Sequence, residues 1–105
     1  MADRIAIICP MGTANTPAIV TSAGTALVAN PLRGSWSIQN LGTNPLFVLR
    51  GSGASSSVFH HVLKGGSVAD DGTGGSISEE AGVIYTGIIT VAGTSPRFVV
   101  TELTA

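Results

Sequence analysis

SWSIQNLGTNPLFVLR, residues 35–50, is the stretch that decides the fold, because it holds the only tryptophan and the clearest strand–turn–strand signal of the chain. Trp36 and Ile38 alternate with Ser37 and Gln39, the two-residue period of a strand with one buried face. Asn40, Leu41, Gly42, Thr43, Asn44 and Pro45 then bring turn formers together, which predicts a hairpin. Leu46, Phe47, Val48 and Leu49 are apolar at successive positions, as in a strand covered on both faces in the middle of a sandwich, and Arg50, Gly51, Ser52 and Gly53 end it. Trp36, Ile38 and Phe47 are therefore assigned to the core. No catalytic group sits on this pair of strands.

Outward from this pair, the remaining segments are short and β-prone. Ala18, Ile19, Val20 and Thr21 form one, and Thr25, Ala26, Leu27 and Val28 another, with Ser22, Ala23 and Gly24 between them and Asn30-Pro31 after. Residues 58–64 alternate Val58, His60 and Val62 with Phe59, His61 and Leu63. Neither set is polar, so a covered strand is expected, with Leu63 in the core. Residues 65–76 carry too much glycine to pack a core of their own and read as a surface loop. Residues 77–81 have some helical or strand potential. Strands are expected over 83–86 and 88–91, flanking a bulge or close approach at Gly87. The last strand spans 97–103, where Phe98, Val100 and Glu102 share one face and Phe98 joins the core. Seven or eight short strands spaced by turn signals, with no helix, predict an all-β antiparallel sandwich or jelly roll. No fixed repeat suggests a solenoid.

At 105 residues the chain has room for one folded unit, expected over residues 18–105. Residues 1–17 read as an N-terminal arm, in which the strand formers Ile5, Ala6, Ile7 and Ile8 are tied to the body through Pro10, Gly12 and Pro17. An arm of this kind gains main-chain hydrogen bonds by adding to a neighbour's sheet edge, which makes these four residues the candidate assembly contact; the alternative is that residues 4–9 pair with this chain's own sheet as an ordinary edge strand. Arg4 and the apolar run after it are too short for a signal core and follow an acidic residue, so they too read as strand.

Charged residues make up only 10% of the sequence, against about 25% in an average soluble domain. Charge keeps copies of a small protein apart, so a surface of Ser, Thr and Gly points to one that is covered in an assembly. The net charge of −1 and the absence of a Lys/Arg cluster offer nothing to nucleic acid phosphates or anionic membranes, and no apolar run reaches the roughly 18 residues of a membrane helix. Cys9 is the only cysteine, which excludes an intrachain disulfide and a thiolate metal cluster and reads as a buried thiol.

Chemistry-bearing patterns are weak. His60 and His61 are adjacent and point to opposite faces of a strand, so they cannot jointly chelate a metal within one chain; a site on a symmetry axis would need one histidine from each of several copies. Asp70, Asp71, Gly72, Thr73 and Gly74 lack the alternating acids and distant glutamate of a calcium loop. The GTGGS run has no lysine to make it a phosphate loop, Glu79-Glu80 is an adjacent pair without the spacing of catalytic carboxylates, and no G-x-S-x-G occurs. The expectation is a protein that is not an enzyme and has no cofactor or resident metal.

One resemblance bears on function. Arg33, Trp36, Ile38, Asn40, Gly42, Leu46, Phe47, Val48, Gly51, Gly53 and Ala54 form an Arg, a strand ending in I-x-N, a glycine turn, an L-F-V strand and a G-x-G-A-S loop. This pattern resembles small β-sandwich structural proteins of tailed bacteriophages. FHHVLKGG (residues 59–66) and GVIYTGIITVAGTSPRFVVTEL (residues 82–103) extend the likeness to a segment and a closing hairpin of such proteins, so it covers residues 33–103. Trp36, where an aliphatic residue is more usual, and the His60-His61 pair depart from it. The resemblance implies a virion protein, foremost a head decoration or cement protein forming a homotrimer and binding the major capsid protein. A tail, neck or fibre subunit is the alternative within that class. A carbohydrate-binding module, with Trp36 and Tyr85 as stacking residues, is the alternative of another class.

Overall fold

A computed structural model of the chain describes residues 12–105. Nine strands occur among them: β1 (Thr13–Ala14), β2 (Ile19–Val20), β3 (Gly24–Leu27), β4 (Arg33–Asn40), β5 (Leu46–Arg50), β6 (His61–Leu63), β7 (Ser76–Glu79), β8 (Ile89–Ala92) and β9 (Phe98–Thr104). They form two sheets, one ordered β1-β9-β4-β7 with β2 also on β9, the other ordered β3-β8-β5-β6, and every strand pairing is antiparallel. The fold is the all-β antiparallel sandwich that the strand pattern implies.

The core follows the two-residue period. Trp36, Ile38 and Asn40 of β4 are buried and alternate with half-buried Ser35, Ser37 and Gln39; Leu46 and Val48 of β5, Ile89 and Val91 of β8, and Phe98 and Val100 of β9 meet them. Leu63 of β6 lies in the same cluster. Phe47 does not. With Leu46 and Val48 on the inner face, the pleat turns Phe47 outward, where its half-buried ring packs on Phe59 at 5.0 Å between centroids.

The turn at 41–45 is not a hairpin. β4 and β5 belong to different sheets, and among consecutive strands from β2 onwards only β5 and β6 pair with one another. Asn40 makes the crossing. Its Oδ1 accepts from the Gly42 amide, and its Nδ2 lies 2.9–3.2 Å from the carbonyl oxygens of Asn44, Leu63 and Lys64. A buried amide with partners on both sides of the fold ties the crossing to β6, and no cross-strand ladder is needed. The segment from 93 to 97, expected to close a hairpin, likewise crosses from β8 to β9.

Residues 83–86 are irregular, and main-chain groups of Tyr85 and Thr86 are taken up by partners elsewhere in the chain. The Tyr85 amide donates to Glu79, the Tyr85 carbonyl accepts from Arg33, and the Thr86 carbonyl accepts from the Asn30 amide. Within 58–64 only β6 is strand. Val58 and Phe59 are exposed, and the Val58 amide turns back onto Ser55.

The glycine-rich stretch is more than a surface loop. Residues 67–73 are exposed, but Gly65, Gly66, Gly74 and Gly75 are half-buried. The Gly75 amide donates to the Lys64 carbonyl and the Gly75 carbonyl accepts from the Asn40 amide, joining β6 of one sheet to the start of β7 in the other. A Cβ at Gly65 would fall on the Thr43 carbonyl, and one at Gly74 on the Asn40 carbonyl, far inside contact distance. These glycines let two backbones touch. Gly74→Ala is therefore expected to cost about 1–3 kcal/mol or more, lowering the melting temperature by about 4–8 °C for each kcal/mol. Thermal unfolding followed by circular dichroism reads it, and an unchanged midpoint would show that the seam is not tight.

The outer edge of β9 is occupied from within the chain. Thr13 and Ala14 pair with Thr104 and Leu103, and Ile19 and Val20 pair with Val99 and Phe98. Between these two short strands, the Asn15 amide donates to the Glu102 carbonyl, its Nδ2 donates to the Val100 carbonyl, and its Oδ1 accepts from the Glu102 amide. Residues 13–15 thus lie on the chain's own sheet. Ile5, Ala6, Ile7 and Ile8 of the candidate arm, and Cys9, lie outside the described residues.

Candidate functional site

Two polar clusters are built into this apolar sandwich, and both centre on an arginine. Arg33, at the start of β4, is buried, and its guanidinium is shared among four acceptors. Nε donates to Glu102 Oε2 at 2.8 Å, Nη1 to the carbonyls of Tyr85 (2.8 Å) and Gly87 (3.0 Å), and Nη2 to the Val28 carbonyl at 2.7 Å. A planar fork with five donors suits this task, since it holds two irregular loops and the β9 carboxylate at once.

The second cluster takes one residue from each of four strands and spans both sheets. Glu79 of β7 accepts from Trp36 Nε1 (2.7 Å) and the Tyr85 amide (2.8 Å) on one oxygen, and from Nε and Nη2 of Arg50 (both 2.8 Å) on the other. The Arg50 guanidinium lies 5.8 Å from the centroid of the Trp36 ring, and its Nη1 lies 2.9 Å from Nε2 of His61 on β6. Burial pushes the Glu79 carboxyl up, but the Tyr85 amide, the Trp36 indole and Arg50 outweigh it and hold the group below its ordinary value. Four donors saturate both oxygens, so this carboxylate has no lone pair to offer a substrate proton.

The histidines are also committed locally. Nδ1 of His60 accepts from the Arg50 amide at 3.0 Å, and His61 faces the guanidinium of the same residue. Among the described residues no group of three or more His, Cys, Asp or Glu side chains is placed to hold a metal ion. Asp70 binds Arg97 through two 2.7 Å contacts, and Asp71 accepts from the amides of Val68 and Thr73 and the Thr73 hydroxyl, closing the turn on itself. Glu80 is exposed and lines an open groove on the outer face of the β4–β9 sheet with Ser35, Ser37, Ile84, Thr101 and Leu103. Trp36 is 1% exposed and Tyr85 is half-buried, so the tryptophan offers no face for a sugar to stack on. No helix among the described residues is long and apolar enough to cross a membrane.

Of these residues, sequence patterning marked Trp36 and placed Glu102 in phase with Phe98 and Val100. A glutamate in phase with core positions requires a cation, and that was the available signal for Arg33. Nothing local marks Arg50, His61 and Glu79 as one cluster, because Arg50 and His61 meet across the β5–β6 pairing and Glu79 joins them from the other sheet. Comparison with protein-family models, curated proteins and solved structures returns no match.

Proposed function

We propose that this chain is a structural virion subunit of a tailed bacteriophage, foremost a decoration protein that binds the assembled shell as a homotrimer and reinforces it. The observation that carries the reading is the state of its charges. Of the nine charged residues in the described part, six are tied in the pairs Arg33–Glu102, Arg50–Glu79 and Arg97–Asp70, while Lys64, Asp71 and Glu80 are exposed. Around them Val28, Leu32, Val58, Val62, Val68 and Val83 are exposed, from 47% to 94%. Apolar side chains on a surface with so little charge favour burial against other subunits. The polar clusters support the same reading, since their hydrogen bonds are directed inward, at holding the sandwich together. The phage-like motifs over 33–103 add the class of assembly.

The test is to mix purified protein with shells of the phage that encodes it, assembled without this chain. Saturable binding at symmetry-related positions, with a higher temperature of shell rupture, is expected, and sedimentation should show a trimer. A monomer at micromolar concentration that binds no part of the particle would overturn the proposal. Binding confined to tail or neck would move it to another position in the virion.

A further inference from the structure

We propose that His61 is a proton-operated catch on the seam between the two sheets, holding Arg50 against Glu79 while its imidazole is neutral and releasing it when the ring is protonated. The geometry fixes the protonation state that the closed seam requires. Arginine carries donors only, so the ring nitrogen 2.9 Å from Arg50 Nη1 must present a lone pair, which leaves the ring proton on Nδ1. A proton added at Nε2 sets N–H against N–H and places a second cation on the guanidinium. The catch then pushes where it had held.

The groups facing His61 are Arg50 from β5, Glu79 from β7 and His60 beside it, with Trp36 of β4 contributing an uncharged N–H to Glu79. Glu79 does not rescue the protonated ring, because both of its oxygens are already engaged by Trp36, Tyr85 and Arg50. Burial of the ring, then the positive charge of Arg50 and then the coupling to the neighbouring His60 ring lower the pKa of His61, and the opposing pull of Glu79 is the smallest effect. A histidine whose folded pKa is depressed gives stability that is complete above its unfolded value of about 6.5 and is lost as pH falls from there toward the folded value. Glu79, itself depressed, gives stability that is lost only in the carboxylate range below, so the two events are separable. The catch is a property of the isolated chain and stands apart from any role in a particle.

The experiment is urea unfolding of the full chain from pH 8 to pH 5, comparing the native sequence with His61→Gln and His60→Gln, together with an NMR titration of both imidazoles. In His61→Gln the new side-chain amide keeps an oxygen for Arg50 and does not titrate. The native chain and His60→Gln are expected to lose midpoint urea concentration below pH 6.5, His61→Gln to show a flattened profile, and the His61 ring to titrate below 6.5. The reading is by slope, so a variant that is weaker at every pH still tests it. Superimposable slopes for the native chain and His61→Gln, a slope lost in His60→Gln instead, or a His61 titration at or above 6.5 would each overturn the proposal.

Discussion

Arg33→Ala is expected to unfold most of the protein at room temperature. The side chain has no solvent exposure, and its removal strands the Glu102 carboxylate and the carbonyls of Val28, Tyr85 and Gly87 without their donor. Removing one partner of a buried ion pair costs about 3–5 kcal/mol, and the abandoned carbonyls add to it. A domain of this size has only about 5–15 kcal/mol in total. Arg33→Lys should recover little, because one ammonium cannot reach four acceptors arranged around a planar fork. Glu102→Gln leaves an oxygen for Nε and should cost clearly less. Equilibrium unfolding by urea orders the three, and a near-native stability for Arg33→Ala would mean that water or a shifted loop replaces the guanidinium.

Trp36→Ala is the second large effect, at about 3–5 kcal/mol from the cavity left by a buried indole. The ring lies in the core with Ile38 and Phe98 and also donates to Glu79. Two losses therefore coincide. Trp36→Phe separates them in large part: it keeps most of the aromatic volume and removes the donor, while Glu79 retains the Tyr85 amide and Arg50. We expect Trp36→Phe to be clearly the milder, with circular dichroism melts as the readout since the only indole is gone. Equal losses for the two variants would assign the effect to the hydrogen bond and not to the cavity.

Strand positions were legible from alternation and from apolar runs. β4 and β9 stand where Trp36-Ile38 and Phe98-Val100 place them, because one face of each must leave water, and β5 stands on the apolar run Leu46–Leu49. Their pairing was not legible. Turn formers at 41–45 fit a hairpin and a crossing equally well, and the choice rests on Asn40, whose amide reaches β6 through a carbonyl 23 residues away. Residues 83–86 misled for a related reason: Val83, Ile84 and Tyr85 have strand propensity, but Arg33 and Glu79 bind both main-chain groups of Tyr85. Phe47 shows the limit of reading a wholly apolar strand, where composition does not say which face is inward. Candidate-site residues meet only in three dimensions, so single positions were visible and the cluster was not.

The Asn15 side chain has a consequence for how copies of this protein can meet. An exposed sheet rim is a template on which a foreign strand can grow, and unprotected rims make β proteins polymerise. At β9 that template is already taken: two two-residue strands cover its ends, and one asparagine amide imitates a peptide group between them. A neighbour seeking this rim must first strip residues 13–20 from their own chain. A strand from another copy is thereby kept off the β9 rim, and growth of one sheet into the next by that route is closed.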